Sequence, residues 1–318
     1  MNVTDLVSLP AGARAKVSAP ATTANLGPGF DTLGLALSWA DETSVEVTPS
    51  GVEVAVTGEG AETLPRGEDH LMVSTIREGL ADLGFSCPGL SLTSHNTIPL
   101  SGGLGSSSAA IVSALGLAWA LAHPEKPLDK EWVFHVATRI EGHPDNVGPA
   151  VFGGLVLALD RFDGPGAQAV RLPVNEHLRV AVVRVDQQVS TATSRSVLPK
   201  TIPFKDAAQN TGRAALLVHT LAGDLSHLLE GTKDFLHQDY RAALYPTSHA
   251  LVSALRSQGF AAAISGAGPT VVVFHDPKSR DALDSAFASL LTPTMAVRHL
   301  RVGEGLRLGS PEPAASSV

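Results

Sequence analysis

The sequence predicts a mixed α/β protein, built as one large domain or as two lobes, and three features lead there. Short β-branched or alternating runs are interspersed with runs of helical period along the whole chain. With 318 residues, 44% apolar and 17% charged, the chain can bury a sizeable core and does not have the composition of a disordered protein. Between Pro99 and Ala109 a stretch with three glycines and four serines passes directly into the apolar helical run Ala110–Leu115. A net charge of −8 argues against nucleic acid or an anionic membrane as the main partner, and any polyanion must be held by a local constellation. The single cysteine, Cys87, excludes a disulfide framework and fits a reducing, cytoplasmic setting. Residues 1–15 lack the apolar core of a signal peptide, and no apolar run reaches membrane-spanning length. The twelve histidines show no His-x-x-x-His spacing, so a dedicated transition-metal site is not expected.

Taken in order, residues 1–14 read as a loose arm and Ala15–Ala19 as a strand. Pro20–Gly34, with small residues, two prolines and several glycines, reads as a shaped loop whose strong polar groups are Asn25 and Asp31. Those two could simply be turn residues bonding their own backbone. Leu35–Ala40, Ser44–Thr48 and Val52–Thr57 alternate as strands, Gly58–Gly67 is a polar loop, and His70–Leu83 has helical period. Leu90–Ser94 is a short strand feeding the glycine-serine loop, and the helix after that loop ends before His123 and Pro124. Glu131–Ile140 is an amphipathic helix delivering Glu141, ahead of a turn with His143 and Asp145, the latter a candidate N-cap. Phe152–Leu159 holds a buried strand, and Arg161–Val170, which contains Gly and Pro, is the best lobe boundary. Leu178–Val185 is a strand, Ser190–Pro199 is hydroxyl-rich around Arg195, and Asn210–Leu229 forms one or two helices. Strands Ala261–Ile264 and Val271–His275 flank Ser265–Thr270, while Gly309–Val318 reads as a disordered tail.

The glycine-serine stretch is where chemistry concentrates. Glycine lets backbone approach a ligand and turn its N–H groups inward, and the free N–H groups of the next helix point to the same place. A nucleotide triphosphate suits such a site, with a hydroxyl such as that of Ser107 available to a magnesium ion. The Walker pattern fails for want of a Lys-Ser/Thr pair, and serine stands where the dinucleotide fingerprint needs its third glycine. Pro99-Leu100-Ser101-Gly102-Gly103-Leu104-Gly105-Ser106-Ser107-Ser108-Ala109 instead resembles the phosphate loop of the GHMP kinases. Further stretches match in family order: the Asn25–Asp31 segment, Glu141–Val147, the two arginine segments around Arg195 and Arg241, and Ser265–Thr270. Within that superfamily they resemble the homoserine kinases.

The resemblance implies a two-lobed α/β (α+β) fold. Its N-terminal lobe, residues 1–165, would be like ribosomal protein S5 domain 2 and its C-terminal lobe, residues 166–318, ferredoxin-like. It implies ATP and L-homoserine as substrates, the eleven residues Pro99–Ala109 on ATP, and Mg2+ on Ser107 and Glu141. Asn25, Asp31, Asn146, Arg195, Arg241 and Gly266 would bind the amino-alcohol, with Arg195 and Arg241 on its carboxylate and Asp31 orienting the attacking hydroxyl. Asn146 stands where mevalonate kinases carry a proposed base, and asparagine cannot accept a proton at neutral pH. A homodimer is implied too. Another small-molecule GHMP kinase, or a ligand-sensing relative without turnover, is the alternative. The segment Glu68-Asp69-His70 departs from the family's Asn-containing pattern there, which leaves the adenine contact open.

Overall fold

A computed structural model describes residues 6–187 and 189–310. The chain runs β1 (Val7–Ser8), β2 (Arg14–Asn25), β3 (Gly29–Thr48), β4 (Gly51–Gly58), α1 (Leu71–Asp82), β5 (Phe85–Ser86) and β6 (Gly89–Asn96). It continues through α2 (Ser106–Ala122), α3 (Lys130–Glu141), α4 (Val147–Phe152), β7 (Leu155–Asp160), β8 (Ala167–Leu172), β9 (Arg179–Arg184) and α5 (Thr191–Ser196). It ends with α6 (Phe204–Ala222), α7 (Leu228–Gly231), α8 (Pro246–Ser257), β10 (Ala261–Ile264), β11 (Val271–His275), α9 (Arg280–Leu290), β12 (Ala296–Arg301) and β13 (Arg307–Gly309).

A seven-stranded sheet has the order β13-β2-β3-β6-β4, and β7 joins the far half of β3 and carries β8 on its other edge. Leu155 and Val156 of β7 pair with Leu35 and Gly34, whereas Glu42–Thr48 of the same β3 pair with β6. The second sheet is antiparallel, β10-β11-β9-β12. One face of it carries Val180, Val182, Val272 and Phe274 into the core shared with Leu217, Leu221 and Leu228 of α6 and α7. The other carries Ala181, Val183, Val271 and Val273 against Leu251 and Leu255 of α8 and Leu283 and Phe287 of α9. Burial on both faces is why β9 and β11 read as unbroken apolar runs instead of alternating.

α2 is buried nearly all round, including Ile111, Leu115 and Leu117, as its uniformly apolar sequence requires. His70 caps α1, its Nδ1 accepting the Met72 N–H at 3.2 Å, and the helix ends one residue before Leu83.

Several sequence expectations are corrected. Pro20–Asn25 is not loop but the end of β2, paired to β3 with register shifts at Pro20/Thr22 and Ala24/Asn25. The small and hydroxyl side chains that suggest a loop are there because the strand is buried: Thr22, Thr23 and Ala24 are fully enclosed. Only residues 26–28 stay outside the strands. Leu35–Ala40 and Ser44–Thr48 are parts of one twenty-residue strand. The helix expected from Asn210 begins at Phe204, directly after Pro203. Arg161–Val170 is a turn leading into β8, which pairs with β7. Of the expected arm, Val7–Ser8 pairs in parallel with β5 and residues 1–5 lie outside the described residues; of the expected tail, Gly309 closes β13 and residues 311–318 also lie outside them.

Two glycines test the packing. A methyl on Gly34 would stand 1.9 Å from the Asp145 carbonyl oxygen, whereas Gly212, exposed inside α6, has nothing within 4 Å. Gly34→Ala should therefore cost about 1–3 kcal/mol, and Gly212→Ala should add about 0.8–1 kcal/mol through helix propensity. Chemical denaturation of the two variants beside the parent chain checks both signs.

Candidate active site

The glycine-serine loop joins β6 to α2 and is held by backbone. Leu104, buried in the core, gives its carbonyl to the Thr22 N–H at 3.0 Å, and the Gly102 carbonyl accepts the Thr270 N–H at 3.3 Å. The Ser265 hydroxyl donates to the Gly103 carbonyl at 2.6 Å. Glycine is required at two positions: Gly103 (φ +79°) would place a Cβ 2.3 Å from the Ser265 carbonyl, and Gly105 (φ +66°) one 2.0 Å from Thr22 Oγ1. Pro99 is buried and Leu100 and Ser101 lie progressively nearer the surface. Gly105 precedes the first helical turn and offers no side chain to cap it. The first N–H groups of a seventeen-residue helix, beginning at Ser106, are thus left for an anion. Ala109 is packed beneath that turn.

Glu141 closes α3, followed by Gly142 in the left-handed conformation, and that helix stop aims its carboxylate at the start of α2. Ser107 Oγ donates to Glu141 Oε2 at 3.1 Å and Ser108 Oγ to Oε1 at 3.0 Å. The expected pair of Ser107 and Glu141 is therefore brought together, with Ser108 beside it.

The acceptor end is a narrow cavity of about 40 Å³ bordered by Asn25, Phe30, Asp31, Asn146, Arg195 and Arg241. Arg195, on α5, grips Asp31 through two bonds of 2.8 Å, Nη1 to Oδ2 and Nη2 to Oδ1. Asn25 receives the Asp31 N–H on Oδ1 at 2.9 Å and donates from Nδ2 to the Gly266 carbonyl at 3.0 Å. Arg241 is only 2% exposed. Its Nε donates to the Ser194 carbonyl at 2.9 Å and its Nη1 to His237 Nδ1 at 3.1 Å. Burial makes its charged form less favourable than in water, so the guanidinium gains from an anion. Both arginines lie over the Phe30 ring, at 5.8 and 5.3 Å from its centroid.

Asn146 precedes α4 and is its N-cap position, in place of Asp145. The Asp145 carboxylate instead accepts the Asn146 N–H and the His143 ring at 2.9 Å each, which raises the His143 pKa. His143 and Asp145 both border the cavity, so the histidine read as a turn residue belongs to the site. Asn146 Oδ1 accepts the Thr22 hydroxyl at 2.7 Å, tying it to the loop side. The predicted residues thus fall in two groups, Ser107 with Glu141 at the start of α2 and Asn25, Asp31, Asn146, Arg195, Arg241 and Gly266 around the cavity, joined by the Thr22–Asn146 bond.

Sequence reasoning misses Thr22, Phe30 and His237. Thr22 sits in a stretch that reads as loop; His237 is visible in the sequence only as a histidine four residues before Arg241. Its ring is fully enclosed, stacks on Phe30 at 5.0 Å, and donates from Nε2 to the Gly27 carbonyl at 2.9 Å. That bond leaves Nδ1 bare to accept from Arg241.

A glycine-serine loop opening a buried helix, a helix-end carboxylate facing it and an arginine-bordered cavity are the arrangement that the resemblance to the GHMP kinases implies. Residues 70–154 match the GHMP kinases N terminal domain and residues 213–291 the GHMP kinases C terminal domain. The homoserine kinase of Cutibacterium acnes is 47% identical, over 92% of this chain and 97% of its own length. That of Streptomyces coelicolor is 44% identical, over 86% and 88%. The chain belongs to the homoserine kinase family. A crystal structure of the homoserine kinase from Cytophaga hutchinsonii superposes with a TM-score of 0.80 at 26% identity, covering 93% of this chain and 97% of that one. Mevalonate diphosphate decarboxylase from Staphylococcus aureus, at 14% identity and a TM-score of 0.66, shares the fold.

Burial holds His237 neutral, pushing its pKa below the ordinary 6.5; Arg241 acts in the same direction, and Asp234 and Asp31 oppose it. The unfolded chain protonates near 6.5, so the stability tied to the neutral ring is present above that pH and is lost as pH falls below it. Buried His70 and His275, shifted the same way, contribute alike. Denaturant midpoints measured from pH 7.5 to 5 should fall below pH 6.5, and His237→Gln should flatten the fall by one proton's share. A variant profile parallel to that of the parent chain would contradict this assignment.

Proposed function

We propose that the chain transfers the γ-phosphoryl group of ATP to the side-chain hydroxyl of L-homoserine, giving O-phospho-L-homoserine and ADP. The observation that carries this reading is the buried Arg241 guanidinium bordering the same cavity as Asp31. A desolvated guanidinium suits the α-carboxylate of an amino acid, which a neutral alcohol would leave unpaired. The names of the relatives point to the same acceptor.

Phosphoryl transfer asks little covalent chemistry of the protein and much positioning. Backbone N–H groups from Gly102 to Ser108 and the positive end of α2 would hold the nucleotide's phosphates. The donor set fits Mg2+: one carboxylate, Glu141, with two hydroxyls within 3.1 Å of it. Phosphate and water would supply the ion's other ligands. When bound with ATP, the ion would offset the phosphates' negative charge. Ser107 and Glu141 would hold it.

The cavity has room for only a few waters, so an amino acid enters once the Asp31–Arg195 pair parts. Arg195 would then join Arg241 on the carboxylate, and Asp31 would be free to accept a hydrogen bond from the attacking hydroxyl and aim it at the γ-phosphorus. Asn146, tethered to Thr22, would border the hydroxyl without taking its proton. Asp31 acts as an orienting group in this scheme. Asp31→Asn should accordingly retain measurable turnover, because an amide can still accept through its oxygen.

Coupled ADP release with Mg-ATP tests the reading, comparing L-homoserine with mevalonate, galactose and L-threonine. Turnover on homoserine alone is the expected outcome; turnover on another alcohol would overturn the acceptor, and ATP binding without turnover would favour a sensor. In the same assay, loss of activity to background in Asp31→Asn would contradict the orienting role.

A further inference from the structure

A second concentration of positive charge lies at the other end of the C-terminal sheet. His275 of β11 stands opposite Arg179 of β9, which stands opposite Arg301 of β12. Cross-strand partners share a face, and His299, two residues before Arg301, shares it too. Arg280, the first residue of α9, completes the wall of a cavity of about 280 Å³. Three guanidiniums therefore surround one cavity in a chain whose net charge is −8.

Their partners leave most of that charge unanswered. Arg179 Nη1 donates to the Glu176 and Leu178 carbonyls at 2.8 and 2.9 Å. Asp284 takes the Arg280 Nε at 2.6 Å and the His299 Nε2 at 3.1 Å. No described residue pairs with the Arg301 side chain through a hydrogen bond or ion pair. Among the described residues a carboxylate bonds only one of the three guanidiniums, that of Arg280.

The two histidines say which anion fits. His275 is 4% exposed, and its Nδ1 lies 2.9 Å from the Asp276 carbonyl, which can only accept. The proton is therefore on Nδ1, and the enclosed Nε2 is a bare lone pair without a partner. His299 repeats the pattern: Nε2 faces Asp284, and the enclosed Nδ1 has no partner. Burial and the nearby Arg179 and Arg280 disfavour protonation of His275. A ligand here must accept from guanidiniums and also donate to an imidazole nitrogen. Sulfate, a carboxylate and a phosphomonoester dianion are acceptors only at neutral pH; inorganic phosphate, which keeps at least one proton, does both.

We propose that this cavity binds inorganic phosphate, with its oxygens on Arg179, Arg280 and Arg301 and its remaining P–OH donating to a bare imidazole nitrogen. The cavity lies at the end of β11 away from the Ser265–Thr270 loop, about 15 Å along the strand. It is separate from the glycine-serine loop that would hold ATP.

Isothermal titration of the protein saturated with Mg2+ and a non-hydrolysable ATP analogue, which blocks the phosphate loop, tests this. Inorganic phosphate and glycerol 3-phosphate are titrated in parallel with sulfate. Inorganic phosphate is expected to bind at least tenfold tighter than sulfate and tighter than glycerol 3-phosphate, whose dianion keeps no proton at neutral pH. Arg301→Gln, an exposed position that leaves the fold intact, should weaken that binding at least tenfold, and His275→Gln should narrow the gap between phosphate and sulfate. No phosphate binding, equal binding of sulfate, or binding unaffected by Arg301→Gln would each overturn the proposal.

Discussion

The turn between β2 and β3 depends on a chain of buried hydrogen bonds that ties it to the C-terminal half. Asn25 reaches the Gly266 carbonyl, and the Gly266 N–H returns to the Ala24 carbonyl at 3.1 Å. His237 bonds the Gly27 carbonyl and passes its other nitrogen to Arg241. Asn210 Nδ2 adds a bond to the Pro28 carbonyl at 2.8 Å. These groups are enclosed, so losing any one partner leaves a polar atom stranded, at about 1–3 kcal/mol each. The turn is held where the second half of the chain needs it.

That hold offsets backbone strain. Asn25, Leu26 and Asp31 all have positive φ, at 70°, 52° and 56°. For a leucine such a conformation costs of order 1–3 kcal/mol and persists only where surroundings determine it. Leu26 is fully buried in the core, which supplies that determination. The result aims Asp31 at Arg195 and sets Phe30 beneath both arginines. Elsewhere, Gly103 and Gly105 let the glycine-serine loop lie against Ser265 and Thr22, closer than any side chain permits. Both ends of the site are thus products of tight backbone contact between distant segments.

What is legible in the sequence follows from how local each signal is. Helices α1 and α3 and strands β10 and β11 lie within a residue of their expected ends, and α2 stops before His123 as expected, because period, His123 and Gly142 mark them locally. The phosphate loop is legible because its glycine spacing is itself the structure. The Pro20–Asn25 segment misleads because burial of small residues in a strand looks, locally, like a loop. His237 and Thr22 escape notice since their roles depend on partners 210 and 124 residues away, Gly27 and Asn146. Likewise, the pairing of Arg195 with Asp31 spans 164 residues and leaves no local trace.

In the proposed reaction the buried Arg241 guanidinium selects an acceptor by its carboxylate. The most direct test of this selection compares kcat/KM for L-homoserine with that for 3-aminopropan-1-ol, the same alcohol without the carboxylate, in the parent chain and in Arg241→Leu. Leaving a buried charge unpaired costs about 2–5 kcal/mol, so the parent chain should prefer homoserine by about thirtyfold or more. In Arg241→Leu that preference should collapse, chiefly through a higher KM for homoserine. A preference of the same size in both proteins would contradict the claim.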